Sequence, residues 1–320
     1  MGTLRSTELL AIVLGMSICC TGARAGSLVE QLGFSRNSIV LIINADDLGM
    51  CHAENAATFD ALLNGVATSA TVMMPCPWVP EVVEWKRQHP EADLGVHLTL
   101  TSEWTRYRWG PVLGRDIVRS LVDRQGYMWR SCEELWRHVK PEEAYRECRA
   151  QVEMAIRLGL DPTHLDNHMG SLQLNPQLSE IYTRLAKEFN LPVRMASEEL
   201  YAAMGAAGQR KVYAENGILG PDELIYPDAL PFPEPKSKEE APAYYEKILR
   251  SLRPGRVYEL YLHCAIDSPE LQKITGYHWR RQADYEWLVS PKTRELIEEL
   301  GIKLIGYRPL RDLQRRLRRG

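Results

Sequence analysis

No surplus of positive charge is present: 39 lysines and arginines stand against 42 aspartates and glutamates, a formal net charge of -3. A nucleic-acid surface, which needs basic side chains to neutralise phosphates, is therefore not expected. Neither a GxGxxG nor a GxxxxGK(S/T) stretch occurs, so the glycine-rich turns that cradle dinucleotide or nucleotide phosphates are missing. The seven cysteines include no CxxC pair, which removes the usual zinc-knuckle and redox patterns. No apolar run reaches the roughly 20 residues of a bilayer-spanning helix. What remains is ordinary globular composition, 45% hydrophobic and 25% charged, in a 320-residue chain long enough for a sizeable core.

The first 25 residues read differently from the rest. Arg5 gives a positive start, LLAIVLGMSICC follows as an apolar run of about a dozen residues, and Ala23-Arg24-Ala25 has a small-x-small cleavage pattern. An export signal cleaved near Ala25 is the expectation, with a periplasmic or extracellular protein and no stable membrane insertion after signal removal. A buried N-terminal helix or a retained anchor stays open. Residues 26–320 are then a single domain that keeps Cys51, Cys76, Cys132, Cys148 and Cys264, read as small buried side chains rather than a disulfide framework.

Short apolar runs alternate with amphipathic stretches along that domain. Strands are expected at 39–43, 68–75, 93–100, 162–168, 191–196, 256–264 and 302–307, and helices at about 53–64, 80–89, 141–159, 175–190, 241–252 and 291–300. Pro176 and Pro291 fall where a first helical turn starts, Ser290 at an N-cap, and Gly159 and Gly301 where a left-handed C-terminal cap is wanted. The alternation implies α/β architecture with a mostly parallel sheet. A distorted or incomplete TIM-type (β/α) barrel of about seven strands fits better than an open doubly wound sheet. The Gly-, Pro- and charge-rich segment 200–240 reads as a surface excursion.

In such a barrel the chemistry sits at the C-terminal ends of the strands. The first strand ends in Asp46-Asp47, within INADDLG. The third carries His97, the fourth His164, Asp166 and His168, and the penultimate ends at His263. Each alone has an ordinary structural reading as a cap or a satisfied core histidine, but their convergence on one edge points to a site. His52, His89, His138 and His278 lie in polar or helical contexts and are read as structural. Carboxylate oxygen with imidazole nitrogen suits a borderline divalent ion, and three protein ligands leave positions open for water and substrate. The second carboxylate is then free to take a proton from water. His164 and His168 are about 13 Å apart along an extended strand, too far to share an ion, which favours His168 as a ligand and places His164 deeper.

NADDLG (44–49), GVHLTLTSEW (95–104), THLDNH (163–168), YLHC (261–264) and RQADYEWLVSP (281–291) together resemble the YdjC-like (ChbG/HpnK) carbohydrate deacetylase family, distant relatives of NodB-type polysaccharide deacetylases. The resemblance implies one divalent metal ion, Mg2+ or Zn2+, held by Asp47, His97 and His168. It implies Asp46 as general base and His263 as general acid, and in the mechanism this suggests Asp284 or Arg281 is read as orienting one of these groups. It also implies removal of acetyl groups from N-acetylated mono- or oligosaccharides, and leaves a homodimer open. Two departures stand out. NodB-type enzymes take two ligands from HxxxH, a spacing that His164 and His168 have but extended backbone cannot use. The chain also continues Met169-Gly170-Ser171 where several relatives are histidine-rich, so the particular sugar is not inherited.

The reading is a metal-dependent amide hydrolase, with Trp104, Tyr107 and Trp109 placed to stack on sugar or simply to pack their loop. A metal-dependent phosphoesterase and an exported, non-catalytic carbohydrate-binding barrel are the alternatives, the former weakened by the absence of an arginine cluster in the site motifs. Because adjacent buried carboxylates repel, one of Asp46 and Asp47 is expected to titrate high when metal is absent.

Overall fold

The computed structural model describes residues 26–227 and 230–319, so the expected export signal lies outside the described residues. The longest strand, β1 (Ile39–Leu48), is buried at every position after Ile39, as expected for a parallel strand covered on both faces. Around it lie β2 (Ser69–Val72), β3 (Leu94–Leu98), β4 (Leu165–Asn167), β5 (Glu223–Ile225), β6 (Arg256–Leu262) and β7 (Lys303–Leu304). The order is β4-β3-β2-β1-β6-β5, every pairing is parallel, and β7 pairs with β1 at Val40 and Leu41, before β2 joins at Asn44.

The sheet curls into an incomplete barrel. Between β4 and β5 the wall is carried by isolated backbone bonds, Leu165 N–H to the Pro192 carbonyl (3.0 Å) and Val193 N–H to that of Leu219 (2.9 Å), and Asp222 N–H then meets the Val257 carbonyl of β6 (2.7 Å). The expected strand 191–196 is reduced to one bridge at Val193, because Pro192 has no N–H for a ladder. The segment 200–240 is more than the surface excursion expected. It forms helices Glu198–Ala203 and Gln209–Glu215 and then β5, a three-residue strand too short to leave a pattern in sequence.

The six expected helices form at His52–Leu63, Val79–Gln88, Pro141–Arg157, Pro176–Glu188, Ala241–Ser251 and Pro291–Glu299. Asn175 caps the fourth, its side chain accepting from Gln177 and Leu178 N–H. Ser290 stands at the N-cap of the last, but its side chain makes no capping bond. Gly159 (φ 82°) and Gly301 (φ 66°) close their helices in the left-handed region. Helices Cys132–His138, His278–Val289 and Arg308–Leu317 were not expected. The last crosses the N-terminal end of the barrel, where Tyr307 and Leu310 pack with Val29, Val40, Ile42 and Val257. All five described cysteines are buried free thiols. Among the described residues no helix is long and apolar enough to cross a membrane.

Candidate active site

In a regular strand Asp46 and Asp47 would point to opposite faces of the sheet. They do not, because the β1–β2 register shifts between Ala45 and Leu48. Asp47 takes a left-handed conformation (φ 65°) and Gly49 follows at φ 93°. This is a bulge at the end of a barrel strand, with a non-glycine residue in a sparsely populated region. Its consequence is that both carboxylates line one cavity of about 580 Å³.

Asp47 is fully buried, and its two oxygens have different surroundings. Oδ2 accepts from the Arg281 guanidinium at 2.7 Å, and Arg281 in turn bonds Glu54 at 2.7 Å. Oδ1 has no hydrogen-bond partner. It lies 3.4 Å from His97 Nε2 and 3.4 Å from His168 Nδ1. The far nitrogens of both rings are fixed: His97 Nδ1 by Asp166 at 2.6 Å and His168 Nε2 by Glu103 at 3.0 Å. One orphaned buried oxygen and two inward imidazole nitrogens, each backed by a carboxylate, fit a divalent metal ion. A second set, Asp46, His97 and Asp166, has the same compactness. Its oxygens are already taken by Arg194, Thr71 and His97 Nδ1, so the first set is the better site.

Asp46 is held from the other side. Arg194 donates to both its oxygens, at 2.6 and 2.7 Å, and Asn44 adds a bond of 2.8 Å to Oδ1. The same guanidinium reaches Glu259 at 2.8 Å and Asp166 at 3.1 Å, and Tyr307 donates to Glu259 at 2.5 Å. Burial alone would raise the Asp46 carboxyl, but the Arg194 charge and hydrogen bonds outweigh it and hold the group down at about 2. Burial likewise opposes ionisation of Asp47, and Arg281 with the nearby histidines brings it well below the usual carboxylate range. The expectation that one carboxylate titrates high without metal therefore fails: each has its own arginine.

His263 is half-buried beyond β6, its backbone N–H directed at Asp284 (3.3 Å). Burial lowers its pKa, partly opposed by Asp47 and Asp46. Asp284 also accepts from Tyr245 (2.5 Å) and Arg280 (3.0 Å). The structure thus brings Asp46, Asp47, His97, His168 and His263 to one cavity. His164 stays outside it, stacked on Tyr307 at 3.7 Å between ring centroids, with burial keeping it neutral. Of the surface histidines, His52 pairs with Glu81, His89 stacks on Trp85, His138 on Trp129, and His278 pairs with Asp267. Trp104 lines the cavity, whereas Trp109 is buried and Tyr107 donates to the Met50 carbonyl, so those two pack the loop.

Sequence reasoning missed Glu54, Glu103, Arg194 and Glu259. Arg194 and Arg281 also overturn the reading that no arginine cluster reaches the site, although carboxylates occupy both. Glu54 had a faint signal, a charged residue on an otherwise alanine-rich helix, and Glu259 stood alone within the apolar run VYELYL.

The family model described as YdjC-like protein matches residues 40–299. Among curated relatives, the carbohydrate deacetylase of Enterococcus faecalis is 34% identical over 275 residues, covering 84% of this chain and 97% of the relative. That of Thermus thermophilus is 36% identical over 284 residues, covering 85% and 94%. The crystal structure of an Enterococcus faecalis V583 protein, named for cellobiose-phosphate cleavage, superposes with a TM-score of 0.73 at 32% identity, covering 85% of this chain and 99% of that one. With the bulged carboxylate pair, the two inward histidines and these matches along nearly all of the described chain, the protein belongs to the YdjC-like family.

Proposed function

We propose that the protein is a metal-dependent carbohydrate deacetylase, hydrolysing the amide of an N-acetylated amino sugar to acetate and free amine. The observation that carries this is Asp47 Oδ1, buried, without a hydrogen bond, and facing His97 Nε2 and His168 Nδ1 at 3.4 Å each. Asp47, His97 and His168 would hold the ion. The chemistry such an ion would supply there is a more acidic attacking water and a polarised acetyl carbonyl. Asp46 receives the water proton, and Arg194 keeps it ionised and aimed. His263 protonates the leaving amine. Burial lowers the pKa of that imidazole, and we propose that the proton it delivers comes from the one taken up by Asp46 in the same cavity. Trp104, Tyr261 and Tyr277 offer aromatic faces to the sugar. The curated relatives' names support this substrate class.

Acetate release from a panel of N-acetylated mono- and oligosaccharides, before and after chelation, tests the reading. Acetate that disappears on chelation and in His97→Ala supports it. Release of phosphate from sugar phosphates instead would favour the phosphoesterase alternative. Sugar binding indifferent to chelation, with no acetate, would make the chain a binding protein. We also propose export with cleavage near Ala25; N-terminal sequencing of the secreted or periplasmic protein, starting at Gly26, is the check.

A further inference from the structure

The end of the barrel opposite the site is closed by the helix Arg308–Leu317. Its apolar face is spent inward, on Leu310 and Leu313, and Gln314 ties it across the opening to Leu219 N–H (2.7 Å) and Asn190 (3.1 Å). Residues 308–319 contain six arginines against a single aspartate. The near half of this element is neutralised, since Arg308 and Arg311 both pair with Asp161, at 3.1 and 2.9 Å. The far half is not. Among the described residues, Arg315, Arg316, Arg318 and Arg319 form no ion pair.

Arg318 is instead anchored by two carbonyl oxygens, of Lys187 (3.1 Å) and Asn216 (2.7 Å), which set a cation at the surface without cancelling it. Arg316, Arg318, Arg319 and Lys187 are exposed. In their midst Leu317 is 56% exposed. Cations in the last turn complement the helix dipole. That accounts for Arg315 and Arg316, but not for Arg318 and Arg319 beyond the helix, nor for an exposed leucine among them. In a chain of net charge -3 this is a separation of charge toward one end.

The same end is where the chain enters the barrel. Val29, on the short helix Leu28–Gln31, packs into one cluster with Tyr307 and Leu310. We infer that this arginine-rich end docks on an anionic phospholipid bilayer. Guanidinium groups meet lipid phosphates, Leu317 enters the headgroup layer, and the deacetylase cavity faces away toward soluble substrate. Membrane is favoured over nucleic acid by Leu317, an exposed apolar side chain set among the guanidinium groups, which a phosphate backbone would leave in water and a headgroup layer would bury.

The test is co-sedimentation of the full chain with phosphatidylcholine vesicles, with and without phosphatidylglycerol. Binding should require phosphatidylglycerol, fall as salt is raised, and weaken at least about tenfold when Arg315, Arg316, Arg318 and Arg319 are all changed to serine. Leu317→Ser should weaken it less. Because these side chains lie outside the site, activity should hold, and Arg316→Glu with Arg319→Glu, which spares the Arg318 anchor to Lys187 and Asn216, should hold the melting temperature as well and serves should the quadruple variant fail to fold. Equal binding to both vesicle types, unchanged binding by the variants, or binding to a DNA duplex but not to vesicles would each overturn the inference.

Discussion

Two adjacent carboxylates in this protein are held by two arms of the same design that lead to different ends. Asp46 is bonded by Arg194, which is backed by buried Glu259 and lies 4.7 Å from the Tyr261 ring. Asp47 is bonded by Arg281, which is backed by buried Glu54 and lies 5.7 Å from the Trp104 ring. The difference lies in what each arm leaves over. Arg194 occupies both oxygens of Asp46, whereas Arg281 takes only one of Asp47 and leaves Oδ1 bare before two histidines. Compensation of charge is common to both, and the free lone pair on Asp47 Oδ1 is what, on the proposed function, would make Asp47 the ligand and Asp46 the base. Asp166 links the arms, bonding His97 at 2.6 Å and Arg194 at 3.1 Å.

The sharpest way to break this comparison is to neutralise each carboxylate. Asp47→Asn should lose both metal and activity, with calorimetric titration showing no saturable binding. Asp46→Asn should keep metal affinity while kcat falls by roughly 10²–10⁴. If both variants lose metal to the same degree, Asp46 is a ligand and the division of roles is wrong.

Next in size are the arginines. Removing one member of a buried ion pair leaves an uncompensated charge and costs about 3–5 kcal/mol. Arg194→Met and Arg281→Met should both show that loss in urea unfolding. Only the second should also change metal affinity strongly, by about 10–100-fold. Asp166→Asn should fall between them, because it touches both arms.

Much of this was legible beforehand, and the reasons for the remainder are physical. Parallel strands buried on both faces announce themselves as apolar runs, and their ends displayed Asp46, Asp47, His97, His168 and His263 in order. Arg281 was named beforehand as an orienting group, but its hold on Asp47 was not, and Arg194 did not stand out, since charged residues on helices and loops are ordinarily solvated. Arg194 lies within the expected strand 191–196, which is reduced to a single bridge at Val193, and Arg281 lies on the helix His278–Val289, whose aromatic and charged residues mask its buried face. The bulge at Asp47 was invisible because an aspartate reveals no preference for positive φ strong enough to read alone.

A smaller effect separates the arms by pH. Burial raises Glu259 to about 7 from a usual 4.5, with Arg194 and Tyr307 pulling the other way. Its folded form therefore holds a proton that the unfolded chain has released, and stability should fall as pH rises from about 4.5 to about 7. Asp46 has the opposite sign: its contribution is present above 3.8 and is lost as pH drops toward about 2. Melting temperature against pH should accordingly flatten in the upper window in Glu259→Gln and stay unchanged in the lower one. A profile unaltered between pH 4.5 and 7 would mean Glu259 is ionised in the native protein.

The smallest expected effect concerns the aromatic faces. Each arginine–ring contact is worth about 0.5–1 kcal/mol, or roughly two- to fivefold in a binding constant. Trp104 and Tyr261 both line the cavity, so either could act by steadying its arginine or by stacking on sugar. The two roles part in kinetics. Steadying Arg281 would make Trp104→Leu shift metal affinity, whereas stacking would raise KM for the sugar and leave kcat and metal affinity alone. Trp104 belongs to the loop that follows β3 and is packed by Trp109 and Tyr107, while Tyr261 sits within β6 itself. The loop-borne member of such a pair is the better sugar contact and the strand-borne one the better brace. Trp104→Leu should therefore raise KM a few-fold, and Tyr261→Leu should instead cost stability through Arg194. An exchange of these two outcomes would place the sugar on the Asp46 side of the cavity.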